Sequence, residues 1–180
     1  VDYRDLTAHR DRLDGFADSL SKLDPLVYDT GNDREKIAFW INAYNALTLN
    51  AIIDHYPIRA TFFKSLRYPS KSIRQIPGFW NELSFTVMGR TITLDGIEHE
   101  TLRAKFNEPR IHMALVCAAL GCPILRNEPY LPEKLDSQLN DHARQLLSNP
   151  EKFRIDKNEK VVHLSTIFKW FAKDFEKNYG

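Results

Sequence analysis

The chain of 180 residues balances 25 Lys and Arg against 24 Asp and Glu, for a net charge of +1. That balance excludes the concentrated basic face that a nucleic-acid or anionic-membrane partner requires, and the scattered cations Lys64, Arg67, Lys71 and Arg74 read as a solvated basic loop. With 43% hydrophobic residues and no apolar run near the roughly 20 residues of a membrane helix, the expectation is one domain over residues 1–180, without membrane insertion.

Leu6, Leu13, Phe16, Ala17 and Leu20 recur at helical spacing and predict an amphipathic helix over residues 6–23, ending before Pro25. Asp33 is a suitable N-cap for a second helix over residues 34–55, which Pro57 terminates. That helix is apolar almost all round, from Ile37 to Ile53, as a central buried helix should be. Residues 62–81 form an irregular, Pro-, Ser- and Gly-containing stretch with room for short helical turns. Ser84–Val87 and Arg90–Thr93 flank Met88-Gly89 as a β-hairpin. Asp95 is then read as the cap of a short helix to about Phe106, stopped before Pro109. For Ile111–Cys117 strand and helix compete, with Gly121 and Pro123 closing the segment. Pro132 leads into a helix over residues 133–147. Phe153–Ile155 and Val161–His163 form a second hairpin, and Ser165 caps a last helix through Phe175. Hairpins set among helices give a mainly helical α+β fold. No dinucleotide-binding or P-loop glycine pattern is present, which argues against nucleotide chemistry.

Three groups of residues carry chemistry. Asn42 and Asn45 lie three apart in Trp40-Ile41-Asn42-Ala43-Tyr44-Asn45, so their amides share one face. They either tie a loop backbone to the helix or line a pocket with Trp40 and Tyr44, because a buried amide without partners costs about 1–3 kcal/mol. Glu98 falls on the apolar stripe of Leu94, Leu102 and Phe106, where a carboxylate is paired or has a raised pKa, and His99 is one step around. The third group runs from His112 to Cys122. A thiolate needs a neighbouring base, and His112 with an orienting carboxylate such as Glu98 supplies the elements of a triad. Regular geometry does not bring His112 and Cys117 together: a strand puts them on opposite faces, and a helix separates them by about 140°. Cys122 folding back over His112, or His99 pairing with Cys117, are the other arrangements. Cys117 and Cys122 could instead close a small disulfide ring, or join His99 and His112 on zinc, although structural zinc sites usually have closer-spaced cysteines.

At these residues the sequence resembles the family catalogued as domain of unknown function 547. The resemblance rests on Phe39-Trp-Ile-Asn-Ala-Tyr-Asn-Ala46, Asp95-Gly-Ile-Glu-His99, Pro109-Arg-Ile-His-Met-Ala-Leu-Val-Cys117 and Gly121-Cys-Pro123, with Tyr130 leading into the helix over 133–147. It extends over about residues 30–175. It implies a periplasmic or extracellular location for a bacterial member, and functional weight on Asn42, Tyr44, Asn45, Glu98, His99, His112, Cys117 and Cys122.

The resulting expectation is a cysteine-dependent hydrolase or acyl transferase with a papain- or transglutaminase-like α+β fold, acting on a peptide, an amide or a small thiol peptide. Cys117 or Cys122 would be the nucleophile, His112 or His99 the base, and Glu98 its orienter. Asn42, Asn45 or backbone N–H groups would hold the oxyanion. No cofactor and no resident metal are expected. The competing expectation is a non-catalytic module that binds a peptide or small molecule in a pocket lined by Trp40, Tyr44 and the two asparagines.

Overall fold

The computed structural model of the chain describes residues 1–59, 66, 68–117 and 122–180, so Lys64, Arg67 and Gly121 lie outside it. The elements in order are α1 (Tyr3–Ala8), α2 (Asp11–Lys22), α3 (Pro25–Asp29), α4 (Asp33–Asp54), a 3-10 turn at Ile73–Gln75, β1 (Ser84–Val87), β2 (Arg90–Thr93) and α5 (Gly96–Arg103), the last wound as a π-helix. A 3-10 turn at Pro109–Met113 and another at Pro132–Lys134 precede α6 (Leu135–Ser148), β3 (Phe153–Asp156), β4 (Val161–Leu164), α7 (Thr166–Trp170) and α8 (Ala172–Tyr179). Among the described residues the strands form two separate antiparallel pairs, β1 with β2 and β3 with β4. The fold is mainly helical α+β.

Helix α4 is the centre. Ile41 and Ala43 are wholly buried and Tyr44 nearly so, and the helix packs against α1, α2, α5 and the turn at Pro132–Lys134. Because it has no polar face to offer water, packing rather than propensity holds it in place. Its N-terminus carries a capping box: the Asn32 side chain accepts from Glu35 N–H at 3.2 Å, and Glu35 Oε2 accepts from Asn32 N–H at 2.8 Å. The cap is therefore Asn32, one residue before Asp33.

The first hairpin follows the expected register, with Val87 opposite Arg90. Met88 and Gly89 have φ of 51° and 69°, the pair of positive values that a two-residue primed turn needs. This turn also docks on α2, since Met88 N–H donates to the Leu20 carbonyl at 2.8 Å and Gly89 N–H to that of Ser21 at 3.0 Å.

Other boundaries also differ from the sequence expectation. Residues 6–23 are not one helix: α1 stops at His9, and α2 restarts after Arg10. Pro25 does not merely end a helix but opens α3 at its first position, behind the Asp24 cap. Asp95 makes no side-chain cap; Thr93 Oγ1 accepts from Gly96 N–H instead, at 3.1 Å. The last helix breaks at Phe171 (φ −115°, ψ 25°) into α7 and α8. Ile111–Cys117 is neither strand nor α-helix, but a 3-10 turn followed by irregular chain.

Beside the main core sits a smaller cluster of Met113, Leu146 and Ile167, against which Phe168, Phe171 and Phe175 pack. It fastens α7 and α8 over the Pro109–Met113 turn, and that attachment completes the site.

Candidate functional site

A cavity of about 460 Å³ opens between α4, α5, the Pro109–Met113 turn and α7. Its lining includes Tyr44, Glu98, His99, His112, Cys117 and Cys122, so the two cysteines, two histidines and carboxylate singled out in the sequence face one space. The size is ordinary for a small-molecule or short-peptide pocket. Its remaining walls are largely apolar and include Ile73, Trp80, Leu115, Ile167, Trp170 and Phe171.

The His112 side chain is fully buried. The Phe171 ring lies parallel to the imidazole, centroids 3.6 Å apart and planes 9° apart, and fixes its plane. Nε2 is 2.8 Å from Asp174 Oδ2. Arg103 grips the same carboxylate, with Nε to Oδ2 at 2.6 Å and Nη2 to Oδ1 at 3.1 Å. This guanidinium, together with the His112 contact, holds the Asp174 carboxyl down to about 2. At neutral pH Asp174 therefore only accepts, so the His112 Nε2 facing it carries a proton. Nδ1 is buried without a hydrogen-bond partner; the carboxylate oxygen Glu98 Oε1 stands at 3.7 Å. An oriented imidazole with one bare nitrogen is the arrangement a general base requires.

Asp174, not Glu98, thus orients the histidine. Glu98 lies beyond hydrogen-bond range of His112 and receives the Tyr44 hydroxyl at 3.5 Å instead. Burial, then the charges of Glu98 and Asp95, push the Tyr44 phenol well above its ordinary value, so it stays a neutral donor. Arg103 Nη1 donates to His99 Nδ1 at 3.1 Å, which occupies the lone pair His99 would need as a base toward Cys117. Burial raises the Asp95 carboxyl at the same wall.

Cys117 and Cys122 are joined in a disulfide, their Cα atoms 6.0 Å apart. Each sulfur is therefore bonded to the other, and neither is available to zinc; no group of residues suited to a metal is found among the described residues. The irregular chain after the 3-10 turn is what admits Cys117 and His112 to the same cavity, which neither regular geometry does.

The asparagines do the structural work weighed for them. Asn45 donates to the Ala114 carbonyl at 3.0 Å and accepts from Val116 N–H at 2.9 Å. Asn42 makes the matching pair with Tyr130, donating at 2.8 Å and accepting at 2.9 Å. Both residues border a separate, shallower hollow of about 330 Å³ rather than the His112 cavity. Trp40 is in neither: it is buried, with its indole N–H donating to Tyr28 Oη at 2.8 Å. Of the four residues expected to bind ligand, only Tyr44 lines the main cavity. Sequence reasoning missed Asp174, Phe171, Arg103 and Trp80. Nothing in the surface-like pattern of Lys173-Asp174-Phe175-Glu176 distinguishes the carboxylate that reaches His112.

Residues 28–147 match a family described as a protein of unknown function, DUF547. The chain belongs to the DUF547 family. No curated protein and no solved structure matches it. The match contains the family-pattern residues on α4, α5 and the His112–Cys122 segment, whereas Phe171 and Asp174 lie beyond it. The candidate site in this DUF547 chain thus has two parts: a disulfide- and histidine-bearing part inside the matched stretch, and the Phe171 and Asp174 contacts to His112 outside it.

Proposed function

We propose that this DUF547 domain is a cysteine-dependent hydrolase or acyl transferase acting on a peptide, an amide or a small thiol peptide, competent once a dithiol reductant has opened the Cys117–Cys122 bond. The observation that supports this reading is the oriented His112, with Nδ1 unpaired, in the same cavity as both cysteines.

Cys117 is assigned as the nucleophile because Asn45 clamps the backbone immediately before it. Reduction delivers two electrons and two protons to the disulfide. His112 Nδ1 takes the Cys117 proton, and the thiolate adds to the substrate carbonyl carbon to form a C–S bond. The Tyr44 hydroxyl, turning its one proton from the long 3.5 Å contact with Glu98, serves the oxyanion. Collapse breaks the C–N bond, and the proton on Nδ1 leaves with the amine. Water or an acceptor amine, deprotonated by the same nitrogen, then releases the acyl group and restores the thiol. Asp174 keeps the imidazole in the tautomer that both steps need. A periplasmic or extracellular location suits a cysteine pair that rests oxidised. The finer comparison with papain- or transglutaminase-like folds is an analogy from residue types together with the family pattern.

The closed disulfide favours a second reading, a binding pocket without a nucleophile. The two separate in pH-dependent alkylation of the reduced protein, with mass spectrometry assigning the label. Selective, rapid labelling of Cys117 below about pH 7, slowed in D174N, is the expected result for the enzyme. Equal labelling of both thiols that rises only near their ordinary pKa of about 8.5 would overturn it in favour of the binding module.

A further inference from the structure

Arg74 was grouped with the solvated cations of an irregular loop, yet it lines the His112 cavity. Its guanidinium carbon is 5.6 Å from the centre of the Trp80 ring and 5.2 Å from that of Tyr68. Two aromatic faces therefore set its direction without taking up its N–H donors. The contrast with Arg103 in the same neighbourhood is instructive. Arg103 spends its donors on Asp174, whereas Arg74 makes no ion pair among the described residues. A side chain held by flat apolar faces, with its planar fork of donors unspent, is suited to a planar anion.

The rest of the cavity narrows the class of ligand. Trp80, Trp170 and Phe171 give it broad aromatic walls, and His112 Nδ1 marks where the reacting bond would lie. We infer that Arg74 is the carboxylate-binding residue of this cavity. The preferred ligand is then an N-acylated amino acid or short peptide with a free C-terminal carboxylate and an apolar or aromatic side chain. This deepens the acyl-transfer reading, on which the word substrate rests, while the binding preference itself holds with or without turnover.

Internal peptide segments and amides lack the anion and forfeit the Arg74 contact. Because Arg74 is exposed at the rim, the gain is modest, about two- to fivefold in Kd, and falls as salt rises.

The test uses the full chain with its disulfide closed, so that no turnover interferes. N-acetyl-phenylalanyl-glycine and its C-terminal amide are titrated separately by calorimetry, with tryptophan fluorescence as a second readout of the walls. The expected result is tighter binding of the acid by about two- to fivefold. In R74Q that preference disappears while affinity for the amide is retained, and R74K keeps part of it. Thermal melting of each variant establishes that the fold is intact. Equal affinity for acid and amide in the wild-type protein, binding of neither in the millimolar range, or an undiminished preference in R74Q would each overturn the inference. An intact preference alongside unreactive thiols leaves Arg74 in this role and removes the enzyme.

Discussion

Asn45 offers the sharpest test of how the site is held. Its amide satisfies two backbone groups about seventy residues away, the Ala114 carbonyl and the Val116 N–H, from a side chain only 8% exposed. In Asn45→Ala both lose their partner. A buried unsatisfied polar group costs about 1–3 kcal/mol, and since Ala114 is fully buried while Val116 is partly exposed, the sum should be about 2–4 kcal/mol. N45D is the informative companion. Near neutral pH its carboxylate still accepts from Val116 but faces the Ala114 carbonyl with no donor, so it should be at least as unstable as Asn45→Ala. Protonation restores an O–H in the place of the amide N–H, so the loss relative to wild type should shrink as pH falls. Urea unfolding followed by circular dichroism at several pH values, with the slope checked for constancy, measures both effects. A loss below about 0.5 kcal/mol in Asn45→Ala, or a pH-independent deficit in N45D, would refute the clamp. In the reduced protein the same variants should also blunt selective alkylation of Cys117, because its backbone is no longer fixed.

Asp174 makes a pH-dependent prediction. Its carboxyl is lowered from the ordinary 3.8 to about 2, chiefly by Arg103, so its contribution is complete above 3.8 and lost as pH falls toward 2. Screened by partial exposure, this amounts to about 1–2 kcal/mol, which D174N should lack across that window; parallel acid titrations of the urea midpoint would show otherwise. The disulfide spans a sequence separation of only 5, so loop-closure entropy gives it about 2 kcal/mol. Reduction should lower the melting temperature by several degrees while leaving circular dichroism native-like, and a chain that unfolds on reduction at room temperature would exclude a dithiol working form.

Much of the architecture was legible because the signals were local. The turn at Met88-Gly89 demanded positive φ, and the all-apolar α4 could only be central. The polar boundaries were less so. A His9-Arg10 break leaves no mark on an amphipathic period, and the Asn32 cap competes with an adjacent Asp33 of similar propensity. At the candidate site, residue type picked out side chains that share a cavity but not their pairings. Glu98 and His112 do line one cavity, yet the carboxylate that orients the imidazole comes from Asp174, far along the chain on the last helix. The π winding of α5 sets Glu98 and His99 in a register that a regular 3.6-residue period does not give. Asn42 and Asn45 left two uses open, and only the positions of Tyr130, Ala114 and Val116 decide between them.

Placing Asp174 62 residues after His112 sets an order of events during synthesis. A nascent chain possesses both sulfurs and the imidazole well before it possesses the carboxylate and the Phe171 ring that fix the base. Throughout that interval the two thiols have no oriented imidazole beside them. They are free to oxidise or be handled by folding helpers, and poorly equipped to attack neighbouring carbonyls. The imidazole thus acquires its fixed orientation only when α8 docks, and on the proposed acyl-transfer reading that docking, followed by reduction of the disulfide, completes the reactive site.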